Sequence, residues 1–258
     1  MSERPYVLLS CAMSIDGYID DASESRLLLS GDADLDRVDE VRAGCDAILV
    51  GAVTIRRDNP RLLVRSPARR ADRVARGLAP SPARVTLTSR GDLDPAAQFF
   101  KAEAPAADDG TRAGGGAGAG AGAGGGAGDT GRGSRIVYVA SPAVHRTRER
   151  LGQVADVAEA GDPIDLRLVL GDLASRGIGK LMVEGGGSVH TQFLAAGLAD
   201  ELQLAVAPFF VGDSSAPRFV TDGGFPWNAR HPARLAEVSR LGDVALLRYA
   251  LSGRYPAR

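Results

Sequence analysis

Two hydrophobic periods alternate along this chain. Short unbroken apolar runs of strand length recur, separated by stretches whose apolar residues fall three or four apart. Tyr6–Met13 (YVLLSCAM) is the first run, and Ala47–Val50, Ala83–Thr88, Arg135–Ala140, Lys180–Glu184 and Glu201–Val206 repeat it. Runs of this kind, bounded by turn residues, are the pattern of strands buried on both faces. Between them, Leu35, Val38 and Val41 stand at helical spacing with acids and arginines opposite, which predicts an amphipathic helix over Asp34–Ala43. The first turn of that helix carries Asp32, Asp34 and Asp36, favourable near the positive end of the helix dipole. Leu166–Arg176 predicts a helix ended by Gly177. Val189, Phe193, Leu194 and Ala196 predict another, ended by Gly197. The tail offers two alternating runs, Arg234–Leu241 and Val244–Leu251, around Gly242-Asp243, a hairpin signal. Strands alternating with helices and closing in a hairpin predict an α/β fold: a mostly parallel sheet with an antiparallel C-terminal edge.

Composition changes this picture in three places. The 258 residues, 44% apolar and 24% charged with net charge −1, suit one large domain able to bury a real core. They give no sign of a nucleic-acid footprint. Lys101 and Lys180 are the only lysines, so an anion site must rely on guanidinium groups, which suit bidentate phosphate binding. From about 103 to 133 periodicity is lost, and Ala113–Gly128 contains only alanine and glycine. Such a segment cannot bury enough apolar surface to offset its ordering entropy. It is therefore expected to be a flexible insertion without chemistry in a single domain spanning 1–258. Cys11 and Cys45, the only cysteines, cannot form a structural zinc site of the usual kind, and no metal site is expected. The N-terminal residues lack the layout of a signal peptide, and no apolar run approaches the ~20 residues of a membrane span. A cytoplasmic location without membrane attachment is the expectation.

Candidate chemistry gathers at three strand ends. The run Ala47–Val50 stops at Gly51, and a short Thr54-containing turn, Asp58-Asn59-Pro60, Arg61 and Arg65 follow around a second apolar run. Hydroxyl, carboxylate and guanidinium groups directly after a buried strand are how α/β proteins build a site at the carboxyl edge of the sheet. Glu184-Gly185-Gly186-Gly187-Ser188 lies between a buried strand and a helix. Its glycines could let an anion approach the helix N-terminus or simply pack strand on helix, and both readings stay open on these residues alone. Thr88-Ser89-Arg90 ends a third strand and suits either a 2′-phosphate or a solvated turn. None of His145, His190 and His231 accompanies a nucleophile elbow, and His190 reads as a packing or surface residue.

Together these pieces resemble the pyrimidine reductases of riboflavin biosynthesis. That family supplies the reductase half of the bifunctional riboflavin deaminase-reductase and also occurs as single-domain enzymes. The matching segments are Arg4–Ile19 (RPYVLLSCAMSIDGYI), Glu40–Arg65 (EVRAGCDAILVGAVTIRRDNPRLLVR) and Val183–Gly212 (VEGGGSVHTQFLAAGLADELQLAVAPFFVG). The resemblance implies a dihydrofolate reductase-like three-layer fold, a homodimer, and NADPH-dependent reduction of a ribosylamino-pyrimidine 5′-phosphate to its ribitylamino form. It implies cofactor contacts at Thr54, Asp58, Ser89, Arg90 and Gly185, Gly186, Gly187 and Ser188. It also implies substrate contacts at Ser25, Arg42, Leu62, Arg65 and Glu184, with Arg42 and Arg65 toward phosphate and with Glu184 and Asp58 as catalytic groups. The zinc deaminase domain is missing from this sequence, so deamination is not expected. Ser10 stands where bifunctional relatives carry lysine, and Ser25-Arg26-Leu27 lacks an aromatic that some relatives place near the nicotinamide. Two alternatives remain beside this reading. One is a same-fold NADPH reductase of specialised metabolism acting on another pterin, pyrimidine or imine. The other is a nucleotide-binding protein without turnover.

Overall fold

A computed structural model describes residues 4–23, 27–103 and 135–256; the expected alanine- and glycine-rich insertion lies outside the described residues. Among the described residues, nine strands form one sheet: β1 (Tyr6–Ser14), β2 (Ala47–Gly51), β3 (Ala83–Thr88), β4 (Arg135–Val139), β5 (Asp156–Glu159), β6 (Lys180–Gly185), β7 (Glu201–Ala207), β8 (Arg234–Leu241) and β9 (Val244–Ala250). Their order is β5-β4-β3-β2-β6-β1-β7-β9-β8. The seven strands from β5 to β7 run parallel, and β9 and β8 close the edge as an antiparallel pair. This is the expected mostly parallel sheet with a C-terminal hairpin.

Among the described residues, six α-helices cover it: α1 (Asp32–Ala43), α2 (Ala52–Asp58), α3 (Pro67–Ala75), α4 (Val144–Leu151), α5 (Leu166–Ser175) and α6 (Gly187–Ala195). The pleat sorts each buried strand between two layers. Val7, Leu9, Leu49, Val85 and Tyr138 face one side and pack with Val169 and Leu173 of α5 and Phe193 of α6. On the other side, Ile48, Val50, Val137 and Val139 pack with Ile55 of α2 and Leu151 of α4, and Leu8 and Met182 lie under Val38 and Val41 of α1. Each such side chain removed from water contributes about 1.5–3 kcal/mol, so the sheet is a rigid platform for whatever its edge carries.

One local expectation needs correction. Ala52–Asp58 is a helix rather than a short turn, made possible by Ala52 and Ile55 packing against the sheet. In the second apolar run, Leu62 adopts φ 53° and buries its side chain in the core. On the charged side of α1, Asp34 and Asp39 are the most buried polar residues. β2 and β6 also slip register between Leu49, opposite Val183, and Val50, opposite Gly185. Glu184 is therefore the extra residue of a β-bulge, a device that re-aims a side chain at a sheet edge.

Candidate active site

The carboxyl ends of β2, β3 and β6 are neighbours in the sheet and open into a cleft of about 980 Å³. The glycines at this edge have separate duties. A Cβ on Gly51 would stand 2.9 Å from Val189 Cγ2, so its absence lets α6 close onto β2. Gly185 has φ 113° and precedes a cis Gly185–Gly186 peptide, a backbone region closed to most side chains. A Cβ on Gly187 would run into the carbonyl oxygen of Arg218, whereas one on Gly186 would meet only Thr54 Oγ1, at 3.6 Å. Close approach of the connecting chain at Arg218 to the start of α6 thus explains Gly187, and ligand approach is left to Gly186. No side chain caps α6 at Gly186, so the first amides of that helix remain open to an acceptor where the dipole favours negative charge.

Thr54, Asp58, Ser89, Arg90 and the whole Gly185–Ser188 turn line this one cleft. Thr88 Oγ1 accepts a hydrogen bond from Gly91 N at 3.0 Å. With Gly91 at φ 66°, it shapes a turn that leaves Ser89 and Arg90 exposed. A glycine-lined helix N-terminus, hydroxyls on two sides and a free-standing arginine form a donor set that fits a dinucleotide carrying phosphates.

The other expected residues are disposed unequally. Glu184 and Arg42 form a bidentate pair, Nε to Oε1 and Nη2 to Oε2, both 2.6 Å. Arg42 Nη1 donates to the Leu63 carbonyl at 3.2 Å. Burial works against the Arg42 charge, but Glu184 outweighs it and raises the guanidinium pKa. With all three nitrogens engaged, Arg42 holds Glu184, and both residues line the cleft. Arg65 also lines the cleft and is exposed. Its backbone N–H is held by Asp39, which also accepts from Ser66 N at 3.1 Å and pairs with Arg69 at 3.0 Å. Burial opposes the Asp39 charge, yet these donors keep its pKa below the ordinary carboxylate value. Leu62 buries its side chain in the core, outside the cleft lining. Ser25 falls outside the described residues.

His190 is fully buried, 5.3 Å from the Phe219 ring centroid, with Nε2 3.4 Å from the Val183 carbonyl. Burial pushes its pKa down to about 4, so the packing reading holds. Asp34, Arg37 and Gln203 escaped the sequence reading. Asp34 and Arg37 line the cleft, and Arg37 reaches Gln203 on β7 at 2.5 Å. Their only signal is an Asp-x-x-Arg spacing on one helix face, which an ordinary solvated ion pair shares.

A cleft at the carboxyl edge of parallel strands, with an uncapped glycine helix start on one side and buried paired charges on the other, is where α/β proteins hold their ligands. Residues 5–247 match the RibD C-terminal domain family, and the chain belongs to that family. A 2,5-diamino-6-ribosylamino-4(3H)-pyrimidinone 5′-phosphate reductase of Archaeoglobus fulgidus is 31% identical over 93% of this chain and 95% of its own length. The protein of the same name from Methanothermobacter thermautotrophicus is 32% identical over 97% of this chain and 100% of its own. Among solved structures, a pyrimidine reductase-like protein of Corynebacterium diphtheriae shares the fold. Its TM-score is 0.70 at 22% identity, covering 95% of this chain and 91% of that one. Membership of this family places the chain among the oxidoreductases.

Proposed function

We propose that this chain reduces a ribosylamino-pyrimidine 5′-phosphate to the ribitylamino form in riboflavin biosynthesis, with NADPH as reductant. The observation that carries this reading is the meeting, in one cleft, of the glycine start of α6 with the Arg42–Glu184 pair. The first can take a pyrophosphate; the second presents a fixed carboxylate to a polyhydroxylated group beside it. The two full-length relatives named for the diaminopyrimidinone phosphate favour that substrate over its deaminated counterpart. A homodimer in the cytoplasm, as the resemblance implies, belongs to the same reading.

Gly186, Ser188, Thr54 and Asp58 would hold the cofactor, and Ser89 and Arg90 would take its 2′-phosphate. Bound there, NADPH supplies the hydride that reduces C1′ of the ring-opened sugar imine. The chain's own task is orientation and charge. Glu184, locked by Arg42 and re-aimed by the β-bulge, would hold the opened sugar and manage the proton that the adjoining nitrogen gains. Arg65, exposed at the cleft and without a side-chain hydrogen bond among the described residues, would take the phosphate.

Turnover of the diaminopyrimidinone phosphate, followed by loss of nicotinamide absorbance with NADPH and with NADH, tests this. Oxidation of NADPH in preference to NADH is expected. A protein that binds NADPH but leaves it unoxidised with this substrate refutes the reading.

A further inference from the structure

The floor of the cleft continues past Glu184 under α1, where the proposed chemistry has no use for it. Leu9 opposes Val183 on β6 and Ser10 opposes Gln203 on β7. Glu184, Ser10 and Gln203 therefore form a polar row across three strands of an otherwise apolar sheet. Ser10 is 6% exposed, lines the cleft, and its hydroxyl makes no hydrogen bond among the described residues. A buried hydroxyl left open toward a cleft has a partner to find.

Above this row, Asp34 is 1% exposed. It accepts from Ser30 Oγ at 2.5 Å and from Arg37 Nε at 2.8 Å. An ion pair between residues three apart on a helix is ordinarily a solvated surface pair worth a few tenths of a kcal/mol. Here it is buried at the cost of desolvation, and two donors leave much of a carboxylate's accepting capacity unused. Arg37 is fixed from behind. Its Nη1 donates to Gln203 Oε1, while Gln203 Nε2 donates to Glu201 at 2.8 Å. Glu201 is itself held by Arg248 at 2.8 Å and by the Tyr6 hydroxyl at 2.9 Å. This chain orients the Gln203 amide and leaves Arg37 Nη2 without a hydrogen bond among the described residues.

We infer that Ser10, Asp34 and Arg37 form a subsite that reads the hydrogen-bonding edge of a flat heterocycle, an aminopyrimidinone ring. Asp34 offers acceptors to amino and ring N–H groups, and Arg37 Nη2 and Ser10 offer donors to a ring carbonyl. A phosphate would be repelled by Asp34, and the sugar is already assigned to Glu184, which lines the same cleft. The inference rests on the proposed function for the ring's identity, and it assigns base selection to residues distinct from Glu184 and Arg65.

The test separates the two halves of the substrate. Binding of 2,5,6-triaminopyrimidin-4-one and of ribose 5-phosphate to the full chain is measured by calorimetry for the unaltered protein, Asp34→Asn and Ser10→Ala. The second variant leaves no buried charge unpaired and so guards against a folding failure in the first. Asp34→Asn is expected to weaken heterocycle binding at least tenfold and Ser10→Ala severalfold, with ribose 5-phosphate unchanged within twofold. With the joined substrate, KM should rise more than kcat falls. Equal loss of both halves, no loss of heterocycle binding in either variant, or an unaltered protein that ignores the heterocycle at millimolar concentration overturns the inference. An unaltered protein that binds both halves but oxidises no NADPH leaves the subsite standing and removes the proposed reduction instead.

Discussion

The two halves of the cleft are made of different materials. Toward β2, β3 and α6 the lining is backbone, glycine and short hydroxyls, and its shape follows from the φ of Gly185 and the missing side chain of Gly186. Under α1 the lining is charge, and much of it is fixed by partners far away in the chain: Arg42 by Glu184, Arg37 by Gln203, and the Arg65 backbone by Asp39. Backbone recognition is set once the strands and helices form. Recognition by paired charges depends on contacts that a single substitution can leave half-made, so the same size of change should have unlike consequences in the two halves.

The largest effect is expected where a pair is broken. Arg42→Ala leaves Glu184 largely buried, with 14% of its side chain exposed, and without its bidentate partner. Losing one member of a buried pair costs about 3–5 kcal/mol, so denaturant midpoint and turnover should fall together. Arg42→Ala combined with Glu184→Gln should recover part of the stability and none of the activity. If the single variant is as stable as the unaltered chain, the pair does not organise this half.

Arg65→Ala probes the same half without breaking a pair, because the side chain is exposed and makes no hydrogen bond among the described residues. Its loss should raise KM for the phosphorylated substrate by about 1.5–3 kcal/mol, roughly ten- to a hundredfold, with the unfolding midpoint unchanged. An unaltered KM would make Arg65 a bystander to the site.

These contrasts also explain what could be read from the chain in advance. Buried parallel strands announce themselves, and β3 has the bounds expected of it, Ala83–Thr88. α3 and α4 carry too few apolar positions to show a periodic face. α3 (PARRADRVA) is anchored by a buried arginine, Arg73, which donates to the carbonyls of Ala43, Cys45 and Ala79. Such bonds have no signature in local sequence. β5 is a four-residue edge strand with Val157 as its one buried side chain. At the site, the glycine turn was legible because backbone conformation is a local property. Arg42 was legible as a residue of the cleft, but its pairing with Glu184 was not, because that partner is 142 residues away. Asp34 looked like a helix-dipole charge for the same reason: nothing nearby in sequence says that β7 lies beneath it.

In the backbone half, Gly187→Ala should act through shape alone. The new Cβ would press on the Arg218 carbonyl, and relieving it must move either the start of α6 or the chain at 218. Overpacking of this kind costs about 1–3 kcal/mol. A lower melting temperature and weaker NADPH binding should appear together, while KM for the substrate changes little once the cofactor is saturating. Weaker substrate binding with intact cofactor binding would show that the two halves are not separable.

The smallest effect is expected from Ser89→Ala. Ser89 is exposed after β3, and its hydroxyl is water-bonded whenever no ligand is bound, so the gain from a ligand contact is an exchange of partners. A net contribution of about 0.5–1.5 kcal/mol follows, roughly two- to tenfold in NADPH affinity, with NADH affinity and stability unaffected. The cofactor pair is what makes the measurement sharp, because only NADPH carries the 2′-phosphate. An equal loss for both cofactors would place the Ser89 contact elsewhere on the nucleotide. A loss larger than that of Gly187→Ala would reverse the comparison itself, since side chains rather than backbone would then carry the cofactor half of the cleft.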